Sequence, residues 1–213
     1  MSKLILSHRG RPASPDNIFH DFKPAMSKEE IMLCPLFRYE GKTVLVRTEE
    51  DLRAALRELA GERVLGFDTE SRPSFKKGTV HAPTLLQLAS AEAVYLFQLR
   101  RVPFDGHLAL LLSDPKIVKA GVAVGRDIIS LREMHDFEPA GMVDLGEIAG
   151  RHNLAQRGLR GLAACLLGVR ISKSQRCSNW SLPDLSPRQI AYAATDAWIS
   201  RRIYIRALSL GLA

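Results

Sequence analysis

Between Lys42 and Asp136 the chain alternates short runs of strand-forming apolar residues with segments whose apolar residues recur at helical spacing, which leaves few architectures open. TVLV (43–46) reads as a strand, and Thr48 can cap a helix in which Leu52, Ala55, Leu56 and Leu59 share a face. RVLGFDTE (63–70) reads as a second strand that ends in two carboxylates, followed by a Pro/Gly/Lys loop through Gly78. TLLQLAS and AVYLFQL, separated only by Ala91 and Glu92, predict a tight hairpin and so three adjacent antiparallel strands. DGHLALLLSD then predicts a helix, KIVKAGVAV (116–124) a strand and DIISLREMHD (127–136) another helix, a succession that calls for parallel strands with helical crossovers. The sheet is therefore expected to be mixed. Beyond Asp144 the strand signal stops, and GLRGLAACLLG and PRQIAYAATDAWISRRIYIRALSL carry helical spacing. These patterns predict an α/β fold with one domain over residues 42–213. Residues 1–41, with Pro12, Pro15, Pro24 and Pro35 and no sustained periodicity, are expected to form an irregular arm.

Composition narrows the function classes. With 213 residues, 46% of them hydrophobic and 25% charged, the chain can bury a substantial core, which excludes disordered and fibrous readings. No apolar run approaches the roughly 18 residues of a spanning helix, so no membrane role is expected. The short apolar start breaks at His8 and Arg9, which predicts no export signal. Cys34, Cys165 and Cys177 form no CxxC pair, which argues against a disulfide framework and a structural zinc site and suits a cytoplasmic protein. From Arg151 to Ala213 there are 10 Arg/Lys against two Asp, so the whole excess of the +7 net charge lies in the last third. Such a basic region attracts polyanions, nucleic acid among them, and serves equally well as a solvated face. No GxxxxGK[ST] motif occurs, so no nucleotide cofactor is expected. The residues carry no signal of oligomeric state.

Asp68 and Glu70 stand two apart in a strand and so project from the same face at its carboxyl end. Two like charges held together repel unless a cation lies between them, and hard oxygen ligands suit Mg²⁺ or Mn²⁺. Asp127 follows a strand-like run and opens a helix, near another strand's carboxyl end. Tyr192 and Asp196 are four apart in a helical segment and share a face. Each feature alone has an ordinary reading: an acidic pair turned to water, a carboxylate favouring a helix dipole, a chance spacing. Taken together they match what metal-assisted phosphoryl chemistry needs, namely carboxylates from distant segments converging on two divalent ions about 3.5–4 Å apart.

FDTE (67–70), GVAVGRD (121–127) and YAATDAW (192–198) resemble the three motifs of the DEDDy 3′–5′ exonucleases. Within that superfamily RCSNWSLPDLSPRQIAYAATDAW (176–198) resembles the Werner-type exonuclease domain most closely and ribonuclease D more distantly, and the similarity covers roughly residues 42–209. The resemblance implies a ribonuclease H-like fold, a mixed sheet flanked by helices. It also implies that Asp68, Glu70, Asp127 and Asp196 bind two Mg²⁺ or Mn²⁺ ions and that Tyr192 holds or helps deprotonate the attacking water. The activity implied is hydrolysis from nucleic-acid 3′ ends with release of nucleoside 5′-monophosphates, DNA slightly favoured. The alternatives are ribonuclease D-like RNA processing and a catalytically silent nucleic-acid-binding module. Ser71, Arg72 and Pro73 stand where the Werner-type domain has an aromatic residue, and Phe75 is the candidate to replace it against the terminal base. Arg72, Lys76, Lys77, Arg126, Lys173 and Arg176 are the candidate phosphate contacts. Trp180 is expected to anchor the loop before the last helix, and Gln87 to satisfy a buried backbone group.

Overall fold

The computed structural model describes residues 22–74 and 81–213. Six strands form one sheet: β1 (Lys42–Val46), β2 (Val64–Ser71), β3 (Pro83–Ala89), β4 (Ala93–Gln98), β5 (Val118–Gly121) and β6 (Met142–Asp144). Their order is β1-β4-β3-β2-β5-β6. The β2–β3–β4 meander is antiparallel, whereas β1 runs parallel to β4, β5 to β2 and β6 to β5. The mixed sheet follows from its connections, since a two-residue hairpin permits only antiparallel pairing and helical crossovers return the chain parallel. β6 is three residues long, too short to give a periodic signal, and was not anticipated.

Alternation along β3 assigns the two layers. Leu86 and Leu88 join Phe67, Tyr95 and Phe97 beneath α2 (Glu49–Leu59), α3 (Gly106–Ser113) and α4 (Val124–Met134). Leu85 and Ala89 join Leu96 and Ala120 on the other face, beneath α5 (Leu145–Arg151), α6 (Leu159–Leu167) and the long α7 (Pro187–Ser209). Among the described residues no helix is long and apolar enough to cross a membrane. All three cysteines are free.

Three expectations need correction. The strand expected over 116–124 stops at Gly121: Ala123 adopts a left-handed conformation, φ 58°, and α4 begins at Val124, so Asp127 lies within the first turn of a helix that starts three residues early. The arm is not wholly irregular, because Ser27 and Glu30 make a capping box that starts α1 (Lys28–Leu33). The arm also lies against the domain: the Phe37 N–H donates to Arg170 O (2.8 Å), the Tyr39 N–H to Thr195 Oγ1 (3.0 Å), and Phe37 stacks on Trp198 at 5.0 Å. Gln87 is fully buried, but neither its Nε2 nor its Oε1 has a hydrogen-bond partner, so it satisfies no backbone group.

Candidate metal centre and nucleic-acid cavity

Gly66 makes the site possible. A Cβ at this position would lie 1.9 Å from Ala197 O, so only glycine lets α7 cross β2 this closely. The crossing sets Asp196, next to Ala197 on α7, against Asp68, two residues beyond Gly66 on the same face of β2. The start of α7 is fixed by Pro187 in its first turn and by the Ser186/Gln189 capping box, and Gln189 Nε2 also donates to Asn179 O (3.1 Å). Trp180 is buried 5.9 Å from the Tyr192 ring, and its carbonyl accepts from Thr84 Oγ1 (3.0 Å). It therefore anchors the loop ahead of α7, as expected. Tyr192 sits one turn before Asp196 on α7.

Asp68, Glu70 and Asp196 each present a carboxylate oxygen within 4.8 Å of the other two. Asp127 stands beside this trio without joining it: its Oδ1 accepts from Thr69 Oγ1 at 2.6 Å. Burial and the charges of Asp196, Glu70 and Asp127 push the Asp68 carboxyl well above the usual range. Burial, Asp196 and Asp127 raise Glu70 to about 8 despite the opposing charge of Arg176. Burial raises Asp196 to about 7, countered by the Tyr192 hydroxyl, and burial also raises Asp127. The Tyr192 phenol is itself raised by burial and then by the charges of Asp196 and Glu70.

This donor set fits a hard divalent cation. Its ligands are all carboxylate oxygens, their mutual repulsion is what a cation relieves, and Asp196 Oδ1 is buried with no hydrogen-bond partner. Asp68, Glu70 and Asp196 are the residues that could hold such an ion, with Asp127 adjacent.

The trio opens into a cavity of about 810 Å³ shared with Tyr192. Of the cations singled out in the sequence, Lys173 and Arg176 line it. Arg72 and Arg126 are exposed and line none of it. Phe75, Lys76 and Lys77 lie outside the described residues. Lys28 and Arg160, which the sequence reading missed, line it as well. Arg160 belongs to the basic last third, so charge counting included it without locating it, whereas Lys28 lies in an arm with no readable periodicity. Thr69, between the two carboxylates of FDTE, was also missed as the residue that holds Asp127.

Residues 43–208 match the family model described as a 3′-5′ exonuclease. The bifunctional 3′-5′ exonuclease/ATP-dependent helicase WRN of Mus musculus is 35% identical over 154 residues, which cover 70% of this chain and 11% of that protein. Ribonuclease D of Gluconacetobacter diazotrophicus is 34% identical over 167 residues, covering 76% of this chain and 41% of that one. The chain thus spans less than half the length of either relative. The crystal structure of the Aedes aegypti Nibbler EXO domain matches with a TM-score of 0.72 at 22% identity, covering 82% of this chain and 93% of that one. The mixed six-stranded sheet is accordingly the ribonuclease H-like fold that the three motifs imply.

Proposed function

Because the chain belongs to the 3′-5′ exonuclease family, we propose that it hydrolyses phosphodiester bonds from the 3′ end of nucleic acid and releases nucleoside 5′-monophosphates. The observation that carries this reading is the convergence of Asp68, Glu70 and Asp196 with Tyr192 in a cavity that Lys28, Arg160, Lys173 and Arg176 also line. Two divalent ions bound by Asp68, Glu70, Asp127 and Asp196 would supply an activated water and stabilise the departing 3′ oxygen. Asp127, whose Oδ1 accepts from Thr69 Oγ1, would complete this set from beside the trio. Tyr192, one turn before Asp196 on α7 and lining the same cavity, holds or helps deprotonate the attacking water and orients it in line with the phosphorus. Arg176 and Lys173 hold phosphate oxygens of the bound strand.

DNA ends are the favoured substrate, on the similarity of residues 176–198 to the Werner-type domain, and RNA 3′ processing is the alternative. The metal ligands do not distinguish the two polymers; that discrimination rests on whether the cavity accepts a 2′-hydroxyl. The test uses 5′-labelled DNA and RNA of matched sequence, single-stranded or with recessed 3′ ends, with Mg²⁺ or Mn²⁺. The expected result is a metal-dependent ladder shortening from the 3′ end that vanishes in Asp68→Ala, with the better-cut polymer identifying the substrate. Strands bound without metal and never shortened would instead establish a silent binding module.

A further inference from the structure

We propose that α1 of the arm and the start of α6 form the track for the strand 5′ of the scissile bond: Lys28 and Arg160 take its phosphates, and Ile31 and Met32 pack against its unpaired bases. This inference rests on the exonuclease reading. The cavity that holds the carboxylates is also lined by Lys28, Ile31, Met32 and Arg160. At about 810 Å³ it lies toward the upper end of the roughly 300–1,000 Å³ typical of small-ligand sites, so it offers room for more than the terminal nucleotide.

These four residues have the chemistry of a nucleic-acid contact. α1 carries Ile31, Met32 and Leu33 in succession yet buries none of its residues, and Met32 is 54% exposed. Ile31 packs in part against Met26, Ala164 and Cys165, whereas Met32 stays exposed beside Arg160, and an exposed apolar side chain beside a cation suits unstacked bases between phosphates. Arg160 NH2 reaches Met32 Sδ at 2.8 Å, its Nε is buried without a partner, and neither it nor Lys28 has an acidic partner among the described residues. This part of the lining is also held in place. The Ala155 N–H donates to Pro24 O (3.0 Å) and Gln156 Nε2 to Met26 O (2.6 Å) ahead of α1, and Arg170 Nε donates to Cys34 O (3.0 Å) just after it. One cavity thus holds carboxylates where a phosphate would be cut and, in Lys28 and Arg160, cations on which the next phosphates would rest.

Binding of 5′-fluorescent dinucleotides and octanucleotides to the Asp68→Ala protein without metal, followed by anisotropy across a salt series, tests the track separately from catalysis. Lys28→Ala and Arg160→Ala, added singly, are expected to weaken octanucleotide binding about 5- to 10-fold and to lower the log–log salt slope by about 0.7 each, the loss of one phosphate contact on a single strand. Dinucleotide binding is expected to stay unchanged, and Arg160→Lys to keep the slope. In the metal-loaded enzyme with Asp68 intact, the same substitutions are expected to raise KM for long strands and leave kcat unchanged. An undiminished salt slope in both alanine variants overturns the track. So does an equal loss on dinucleotides, or a loss in Arg160→Lys as large as in Arg160→Ala, which would mark Arg160 as structural. Ladders cut normally by those variants would sink the track alone, whereas a parent protein that neither binds nor cuts any strand would sink the exonuclease reading with it.

Discussion

Lys119 is fully buried in β5, where its Nζ donates to Asp114 O at 2.8 Å. Burial lowers its pKa to about 8, with the Asp114 charge opposing the shift. Below pH 8 both folded and unfolded chains carry the proton and the folded state bears the full cost of a buried ammonium. Between pH 8 and about 10.4 the unfolded chain binds more protons than the folded one, so stability rises with pH across that window. Lys119→Met is expected to be more stable than the parent by on the order of 1 kcal/mol at pH 7 and to lose that advantage towards pH 10, which urea unfolding at both pH values would reveal. Tyr192 is the opposite case in the proposed mechanism, a buried polar group that serves chemistry. Burial and the charges of Asp196 and Glu70 raise its pKa, and in that mechanism its hydroxyl acts on the attacking water and does not bind the strand. Tyr192→Phe should therefore lower turnover by about 10²- to 10⁴-fold while binding of an uncleaved oligonucleotide stays within twofold. Equal turnover would remove the phenol from the mechanism.

The decisive contact between elements is that of α7 with β2. Gly66 brings the helix backbone onto the strand, and Arg201, further along α7, donates from Nε to Val64 O at 3.0 Å and pairs with Glu62 at 3.7 Å. The carboxylate trio depends on this crossing, since two of its members are on the strand and one is on the helix. Gly66→Ala must push α7 away, because the clashing atom is a backbone carbonyl that cannot rotate aside. Chemical denaturation is expected to show a loss of about 3 kcal/mol or more, and the rise in Tm that a divalent ion confers on the parent should disappear. A variant that retained both stability and metal response would mean that the crossing does not hold the site together. At the other end of β2, α4 starts from Ala123 in a left-handed conformation that costs an alanine about 1–2 kcal/mol. That early start places Asp127 against Thr69.

For the whole molecule, the basic last third divides into two roles. Arg160, Lys173 and Arg176 line the cavity, whereas Arg170 and Arg201 hold backbone carbonyls that lock the arm and β2 in place. Net charge therefore overstates the number of cations left for the proposed nucleic-acid contacts. The arm closes over the domain through Trp198, which is buried against Phe37 (5.0 Å) and Tyr39 (5.7 Å) and lies under the Arg202 guanidinium at 5.2 Å. Trp198→Ala is expected to cost about 3–5 kcal/mol in urea unfolding and to expose the arm to limited proteolysis. An arm as resistant as in the parent would show that backbone hydrogen bonds alone retain it.

Local pattern determined a large part of this protein. Short runs of strand-forming apolar residues placed β1 to β4, the two-residue hairpin predicted the antiparallel meander, and helical spacing found α2, α3 and most of α4, because these signals depend on residues close in the chain. The same pattern singled out Asp68, Glu70, Asp127, Tyr192 and Asp196 as the residues to watch. It failed where the cause was not local: β6 was too short to show a period, α1 depends on a cap inside a proline-rich arm, and Ala123 breaks the expected strand through its backbone conformation. Which carboxylates meet was decided by tertiary structure, through a glycine that admits α7 and a threonine that turns Asp127 aside. The part of the cavity lining that α1 supplies was decided in the same way, by an arm folded back onto α6 and α7. Propensity and periodicity are sums over neighbouring residues, whereas convergence of remote segments depends on close packing, and close packing has no signature in any one of them.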